Sequence, residues 1–383
     1  MPAGVFPAAG GEGVGMGEPI TIVGAGPAGL TAAIVLARRG LKVQVFEMAA
    51  EVGHRLRGDF QGLENWSSDR DVLVLLREIG LDINFLCVPY DGGTVYACGM
   101  APVGIRSGRP MFYLVKRGSC PGSLDTGLKE QAEAAGVEIV FNRRLDGESS
   151  ARIVGTGPRG VDALASGITF ATTLPDRAVV LFDDEIAPHG YAYLLVHRGE
   201  GTMSTVLYRD FRREEECFSR MLGFFREREG VEPQDARKFT NYGNFFIRSS
   251  QVKRSTLYVG ESAGFQDGLW SFGMRYAILS GYLAAKSIID GTDYDRLWKG
   301  ELKPLLETSL VNRFLLERLG HAGYRHVARR LAHGEPCNYL RRHYNPSFFK
   351  RLLLPLARLR GGGKSAALPG ALFFLAFWRE VIL

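Results

Sequence analysis

Residues 20–47 read ITIVGAGPAGLTAAIVLARRGLKVQVFE. Ile20–Val23 is a short apolar run that ends at a glycine-rich turn. Pro27, Leu30, Ala33, Ile34, Leu36 and Ala37 give an apolar helical face over 27–39, closed by Arg38-Arg39-Gly40. Leu41–Glu47 alternates as a strand. The stretch therefore reads as one β-α-β unit. Gly24, Gly26 and Gly29 stand in GxGxxG spacing. The first glycine permits the tight turn, the second lets a pyrophosphate approach the backbone, and the third lets helix and strand pack closely. The helix N-terminus presents free N–H groups and partial positive charge to a phosphate. Glu47 ends the second strand, where an acid accepts hydrogen bonds from an adenosine ribose. This pattern favours a dinucleotide over a purely structural glycine turn and leaves FAD and NAD both open.

A second glycine loop lies far along the chain. Tyr258–Gly281 reads YVGESAGFQDGLWSFGMRYAILSG, a strand running into a glycine loop and then a helix of small residues from about Gly273 to Ile289. It can bring more backbone against the same cofactor. Glu261 suits ribityl hydroxyls, and N–H groups near Gly273 and Met274 suit the electron-rich edge of a reduced flavin. With Pro27, Ala28 and Gly268, these complete the candidate cofactor set. A loop that only packs is the alternative.

The rest of the chain reads as follows. Ser68 caps a helix over Asp69–Ile79, 122–135 is a helix, and 211–228 is a charged helix with Phe218, Met221, Leu222 and Phe225 on one face. Residues 83–116 and 168–208 hold short runs of Val, Tyr and Phe broken by Gly and Pro, as in antiparallel strands. The hydrophobic fraction of 46 % and charged fraction of 23 % in 383 residues exclude a mainly disordered or fibrous chain. Cys87, Cys98, Cys120, Cys217 and Cys337 are widely spaced without a CxxC, so no zinc motif or disulfide framework is read and reduced thiols are expected. No apolar run reaches the roughly 18–20 residues of a membrane span. The N-terminus reads as a flexible leader rather than a secretory signal. From Arg313 onward there are 13 Lys/Arg against three acids, while the whole chain is only +6. That basic end suggests an anionic surface as partner, or a solvated helix face. It is rich in Leu and Phe and lacks any nucleic-acid-binding signature.

Four stretches together resemble the flavoprotein family of geranylgeranyl reductases, with aromatic hydroxylases and lycopene cyclases as more distant relatives. They are VGAGPAGLTAAIVLARRGLKVQVFE; Phe112–Ala132, with Arg117 and Leu124-Asp125; PHGYAYLL at Pro188–Leu195; and GESAGFQDGLWSFGMRYAILSG. By position, the resemblance implies that Gly24, Gly26, Gly29, Glu47, Arg117, Glu261 and Gly273 line FAD. It places Glu261 where the family has Asp and Gly268 where it has Pro. The Cys-Gly pair usual in the reductases is missing from Gly53–Gly62.

The expected fold is α/β: a Rossmann-like, three-layer FAD-binding domain with an antiparallel-sheet substrate domain and a helical C-terminal tail. The expected boundaries are 1–18 for the leader; 19–66, 107–165 and 251–292 for the FAD domain; 67–106 and 166–250 for the substrate domain; and 293–383 for the basic tail. His54 and Arg55 are the candidate catalytic residues, His for proton transfer at neutral pH and Arg for the flavin or an anionic head group. Tyr191, Tyr193, Trp270 and Phe272, with Phe245 and Phe246, are candidates for an apolar substrate cavity, or ordinary sheet core. The expected activity is FAD-dependent reduction of carbon–carbon double bonds in an isoprenoid or lipid-like substrate, with NAD(P)H or a ferredoxin-like donor as reductant. A hydroxylating monooxygenase and a non-catalytic flavin-binding, membrane-associated protein are the alternatives. No metal is expected. The expected location is the cytoplasm, free or peripheral on the membrane. Residues 345–383, with Lys350, Arg351, Arg358 and Arg360 toward anionic head groups, read equally as a membrane anchor or as a lid.

Overall fold

The structure is a computed structural model and describes residues 18–145 and 151–359. The expected leader lies almost entirely outside the described residues, as do Arg360, Phe373, Phe374, Phe377 and Trp378 of the tail.

The β-α-β unit forms as β1 (Ile20–Val23), α1 (Pro27–Ala37) and β2 (Val43–Phe46). It lies inside a six-stranded sheet of order β15 (Val252–Lys253), β16 (Thr256–Tyr258), β9 (Ile153–Val154), β1, β2, β8 (Glu138–Val140), parallel except for the β15–β16 pair. Parallel strands end together, so the loops after β1, β9 and β16 converge at one sheet edge. The expected apolar face of α1 is in fact a whole circumference: Ala28–Leu36 are all buried. Such a helix must be covered on every side. One cover is the helix Met274–Asp290, where a Cβ on Gly281 would sit 2.1 Å from the Ala28 carbonyl oxygen.

A three-stranded antiparallel sheet, β3 (Arg57–Glu64), β7 (Phe112–Gly118) and β4 (Cys87–Tyr90), joins this core to the second half. α2 (Val72–Glu78) is shorter than expected, because Asp71 rather than Ser68 caps it, its side chain accepting from the Leu73 N–H. α3 (Leu124–Ala134) is capped by Ser123. The second half is a seven-stranded sheet of order β14 (Gln234–Gly243), β10 (Ala163–Ala171), β13 (Glu200–Leu207), β12 (Tyr191–His197), β11 (Arg177–Phe182), β5 (Gly92–Ala97), β6 (Val103–Arg106). Met221 and Phe225 of α4 (Glu214–Glu229) pack on it. α5 is Met274–Asp290.

Two of the expected segments pack across both halves. Segment 67–106 does not act as one piece: Val72, Leu75 and Leu76 bury in the nucleotide-side core, while Gly92–Arg106 joins the seven-stranded sheet. The region from 293, expected as a basic helical tail, is helical and packs into both halves. Tyr294 and Trp298 of α6 (Tyr294–Glu301) are fully buried in the first core. α7 (Lys303–His333) and α8 (Pro336–Tyr344) cover the sheet's apolar face through Tyr324, Leu331 and Leu340. Apolar face area, not charge, decides their position. α9 (Phe348–Leu359) docks Leu353, Leu354, Leu356 and Ala357 on Val311, Phe314 and Leu315 of α7, and leaves Phe348 and Leu352 exposed. The expectation that Lys350 faces lipid head groups is also corrected. It is buried, and its ammonium donates to the His343 and Asn345 carbonyls at the end of α8. Arg358 is paired with Glu307 at 2.7 Å.

Candidate functional site

One continuous cavity of about 890 Å³ runs from the first glycine loop, between the two halves, to the inner face of the seven-stranded sheet. It has a backbone-walled arm and an aromatic arm.

Gly24 to Ala28, Glu47, Gly155 to Gly157, Gly260, Glu261, Gly273 and Met274 line the first arm. The three motif glycines have different local reasons. Gly24 has φ +100°, and a Cβ there would lie 2.3 Å from the Gly155 carbonyl oxygen. A Cβ on Gly29 would lie 2.0 Å from the Gly24 carbonyl oxygen. A Cβ on Gly26 would meet no protein atom within 4 Å. Protein packing thus demands Gly24 and Gly29, whereas Gly26 keeps open a cradle into which a ligand can press. Neither Gly26, at the N-cap of α1, nor Gly273, at that of α5, has a side-chain cap, and both helix N-termini open into the cavity. Their amide donors suit a pyrophosphate at one end and an electron-rich ring edge at the other. Glu47 accepts from the Ala25 and Ala49 N–H groups at 2.8 and 2.9 Å. A carboxylate has lone pairs to spare for a ribose beyond these two. These residues fit the adenosine, pyrophosphate and ring of FAD.

Burial pushes the Glu261 carboxyl up to about 7, against the pull of Arg55 and Arg117. Arg55 reaches Glu261 at 3.9 Å and lies over the Tyr242 ring. His54 and Arg55 occupy an exposed turn on the cavity rim. Arg117 is in the wall, but its guanidinium is committed: two 2.9 Å bonds to Asp125 and one of 3.2 Å to Gln61. It braces the wall rather than offering a free charge. Gly268 is a correction. It is absent from the cavity lining, its N–H donates to Ser309, its carbonyl accepts from Arg313, and a Cβ would strike Leu310. The loop turns there to meet α7, so Gly268 serves packing.

Tyr191, Tyr193, Trp270 and Phe272 all face the second arm. The Tyr191 hydroxyl donates to the Trp270 carbonyl at 2.6 Å, and Trp66 meets Phe272 edge-on at 4.7 Å. Phe182, Leu195, Leu331 and Leu340 complete an apolar wall drawn from the seven-stranded sheet and from α7 and α8. Phe245 and Phe246 are not among the lining residues.

Two polar groups were not singled out from the sequence. Gln266 Oε1 and Trp66 Nε1 are buried, line the cavity and have no hydrogen-bond partner. Buried polar atoms are rarely left so, which makes both candidates for ligand contact. Gln266 lay inside the quoted second loop but carries no spacing signal. Trp66 lies outside every motif. Asp267 next door is fully buried and accepts from Trp270 N–H and Tyr344 hydroxyl, and burial pushes its carboxyl up to about 6.

Comparisons with known proteins agree with this architecture. The family model of the NAD(P)-binding Rossmann-like domain matches residues 22–60. UacF of Escherichia coli (strain K12), provisionally named an oxidoreductase, is 39 % identical over 74 residues. That match takes in 18 % of this chain and only 11 % of the curated relative's length. A geranylgeranyl bacteriochlorophyll reductase-like protein from Thermoplasma acidophilum superposes with TM-score 0.65, at 15 % identity, over 95 % of this chain and 99 % of that one. The flavin-dependent brominase Bmp2 superposes with TM-score 0.59, at 16 % identity, over 94 % and 98 %. Further neighbours include an FAD-dependent halogenase and an FAD-dependent monooxygenase. The chain has the fold of the FAD-dependent oxidoreductases and monooxygenases, a geranylgeranyl reductase-like protein among its structural neighbours.

Proposed function

We propose that the chain is an FAD-dependent oxidoreductase that reduces carbon–carbon double bonds in an apolar, isoprenoid or lipid-like substrate. The observation that carries this reading is the continuity of the cavity: a dinucleotide cradle opens directly into an aromatic, aliphatic arm. When bound, flavin supplies the hydride chemistry. The protein orients an extended apolar chain between Trp270, Phe272 and Tyr191 and keeps water from it. Alkene reduction also needs a proton, and His54, exposed yet on the cavity rim, is the proposed carrier. Arg55, 3.9 Å from Glu261 on the same rim, is proposed to meet the flavin or an anionic head group. The reductant is proposed to be NAD(P)H or a ferredoxin-like donor. Among the described residues no helix is long and apolar enough to cross a membrane. Exposed Phe348 and Leu352, flanking Arg351, are proposed as the part of 345–359 that touches an anionic lipid surface.

The experiment is anaerobic. The flavin is reduced chemically, prenylated lipid is added, and the oxidised-flavin band is followed. Reoxidation without oxygen, with a saturated product, is expected. A flavin that stays reduced until air enters, then yields hydroxylated lipid, moves the assignment to a monooxygenase. A flavin that neither NAD(P)H nor a ferredoxin reduces points to a non-catalytic flavin protein. Protein that takes up no FAD removes the reading altogether.

A further inference from the structure

The seven-stranded sheet contains one parallel pair among its antiparallel ones, β5 with β11, in register Ala97 with Phe182. A parallel pair delivers its next residues to the same end. Those residues are Cys98, whose N–H donates to the Phe182 carbonyl at 3.0 Å, and Asp183. α7 passes over that end and breaks its own helical path at Gly320 (φ 48°, ψ −136°), immediately before His321. As a result Cys98 Sγ, an Asp183 carboxylate oxygen and a His321 ring nitrogen lie within 4.8 Å of one another. Asp184 stands beside them, its Oδ2 3.4 Å from His321 Nε2 and its N–H donating to that nitrogen at 3.4 Å. Asp183 Oδ1 accepts the Glu185 N–H at 2.9 Å. Arg325 donates through its guanidinium to the Cys98 carbonyl at 3.3 Å.

We propose that Cys98, Asp183 and His321 form a binding site for a divalent transition-metal ion of zinc's type, with Asp184 or water as fourth ligand. A thiolate, an imidazole and a carboxylate from three remote segments form a mixed S, N, O set that zinc accepts in tetrahedral geometry. Tetrahedral bonds of roughly 2.0–2.3 Å set donor atoms roughly 3.3–3.8 Å apart, so this set, within 4.8 Å, draws in around the ion. The position gives the ion a structural task. Phe182, one residue from Asp183, lines the aromatic arm and stacks on Tyr324, one turn beyond His321, with centroids 5.1 Å apart and planes 6° apart. An ion here staples α7 to the sheet and holds that wall.

The test uses the full chain, purified, stripped with a chelator and titrated with Co²⁺ and then Zn²⁺. One Co²⁺ per chain is expected, with a thiolate-to-cobalt charge-transfer band that Zn²⁺ abolishes, and Zn²⁺ is expected to raise the melting temperature. Cys98→Ser is expected to lose the band, while Cys120→Ser keeps it. His321→Ala, which leaves the thiol in place, is expected to weaken Co²⁺ binding by on the order of tenfold or more. Absence of a charge-transfer band in the wild-type protein at saturating Co²⁺ overturns the proposal without recourse to any variant. So does a band that survives in Cys98→Ser.

Discussion

The two arms of the cavity are built from different materials. The nucleotide arm is mostly backbone: glycines, two uncapped helix N-termini and carboxylates that hold loops. The aromatic arm is side chain: Trp66, Tyr191, Trp270 with Phe272, and Leu340 come from four separate segments. Backbone sites tolerate almost no change of residue at their contact points but care little about what lies beyond. Side-chain sites are assembled by topology, so each member can be changed, at the cost of shape.

Perturbing each arm in turn can break or sharpen this contrast. The largest effect is expected from Trp270→Ala, a buried tryptophan removed from the aromatic arm, at roughly 3–5 kcal/mol of unfolding free energy in urea. Flavin content of the folded protein should stay unchanged while the KM for an apolar substrate rises. Equal loss of flavin would show that the arms are not separable. Gly29→Ala comes next, at roughly 3 kcal/mol, because its Cβ would sit 2.0 Å from a carbonyl oxygen that cannot move without opening the loop.

Glu261 gives a pH signature. Its carboxyl lies near 4.5 in the unfolded chain and is pushed up to about 7 in the folded one. Between those values the folded state holds the extra proton, so apoprotein stability falls as pH rises from about 4.5 to about 7. The fall is on the order of 3 kcal/mol. Asp267, pushed up by burial to about 6, adds a fall of the same sign from about 4 to 6. Glu261→Gln should remove the first and keep the second. An unchanged pH profile in that variant would mean that Glu261 is ionised throughout. The smallest stability effect belongs to Gly26→Ala: within about 0.5 kcal/mol for the apoprotein, since its Cβ meets no protein atom. FAD affinity, measured by fluorescence titration, should nevertheless fall tenfold or more. Normal affinity would show that the cradle does not hold the pyrophosphate.

Reading these regions from sequence succeeded where the requirement is local. GxGxxG, the strand before it and Glu47 after it specify one backbone path, and the structure follows it. Ser68 failed as a cap because Asp71 competes three residues on and also accepts bonds from Asn65 and Tyr113. Gly268 failed because a glycine serving helix packing looks the same in sequence as one serving a ligand. Gln266 and Trp66 were missed because an unpartnered polar atom is defined only by what surrounds it. The basic end read equally as a membrane-facing tail or as a lid, since charge is visible in composition while the apolar face of α7 shows only once the sheet it covers is known.

The sequence by itself determined the nucleotide-binding half: a tight turn, a close helix and a terminal acid are conformational demands met within about thirty residues. Tertiary structure alone decided the aromatic arm, the burial of Lys350 and the meeting of Cys98, Asp183 and His321. Those depend on strand register and on where α7 breaks and lies, and such long-range packing leaves no periodic trace in the chain.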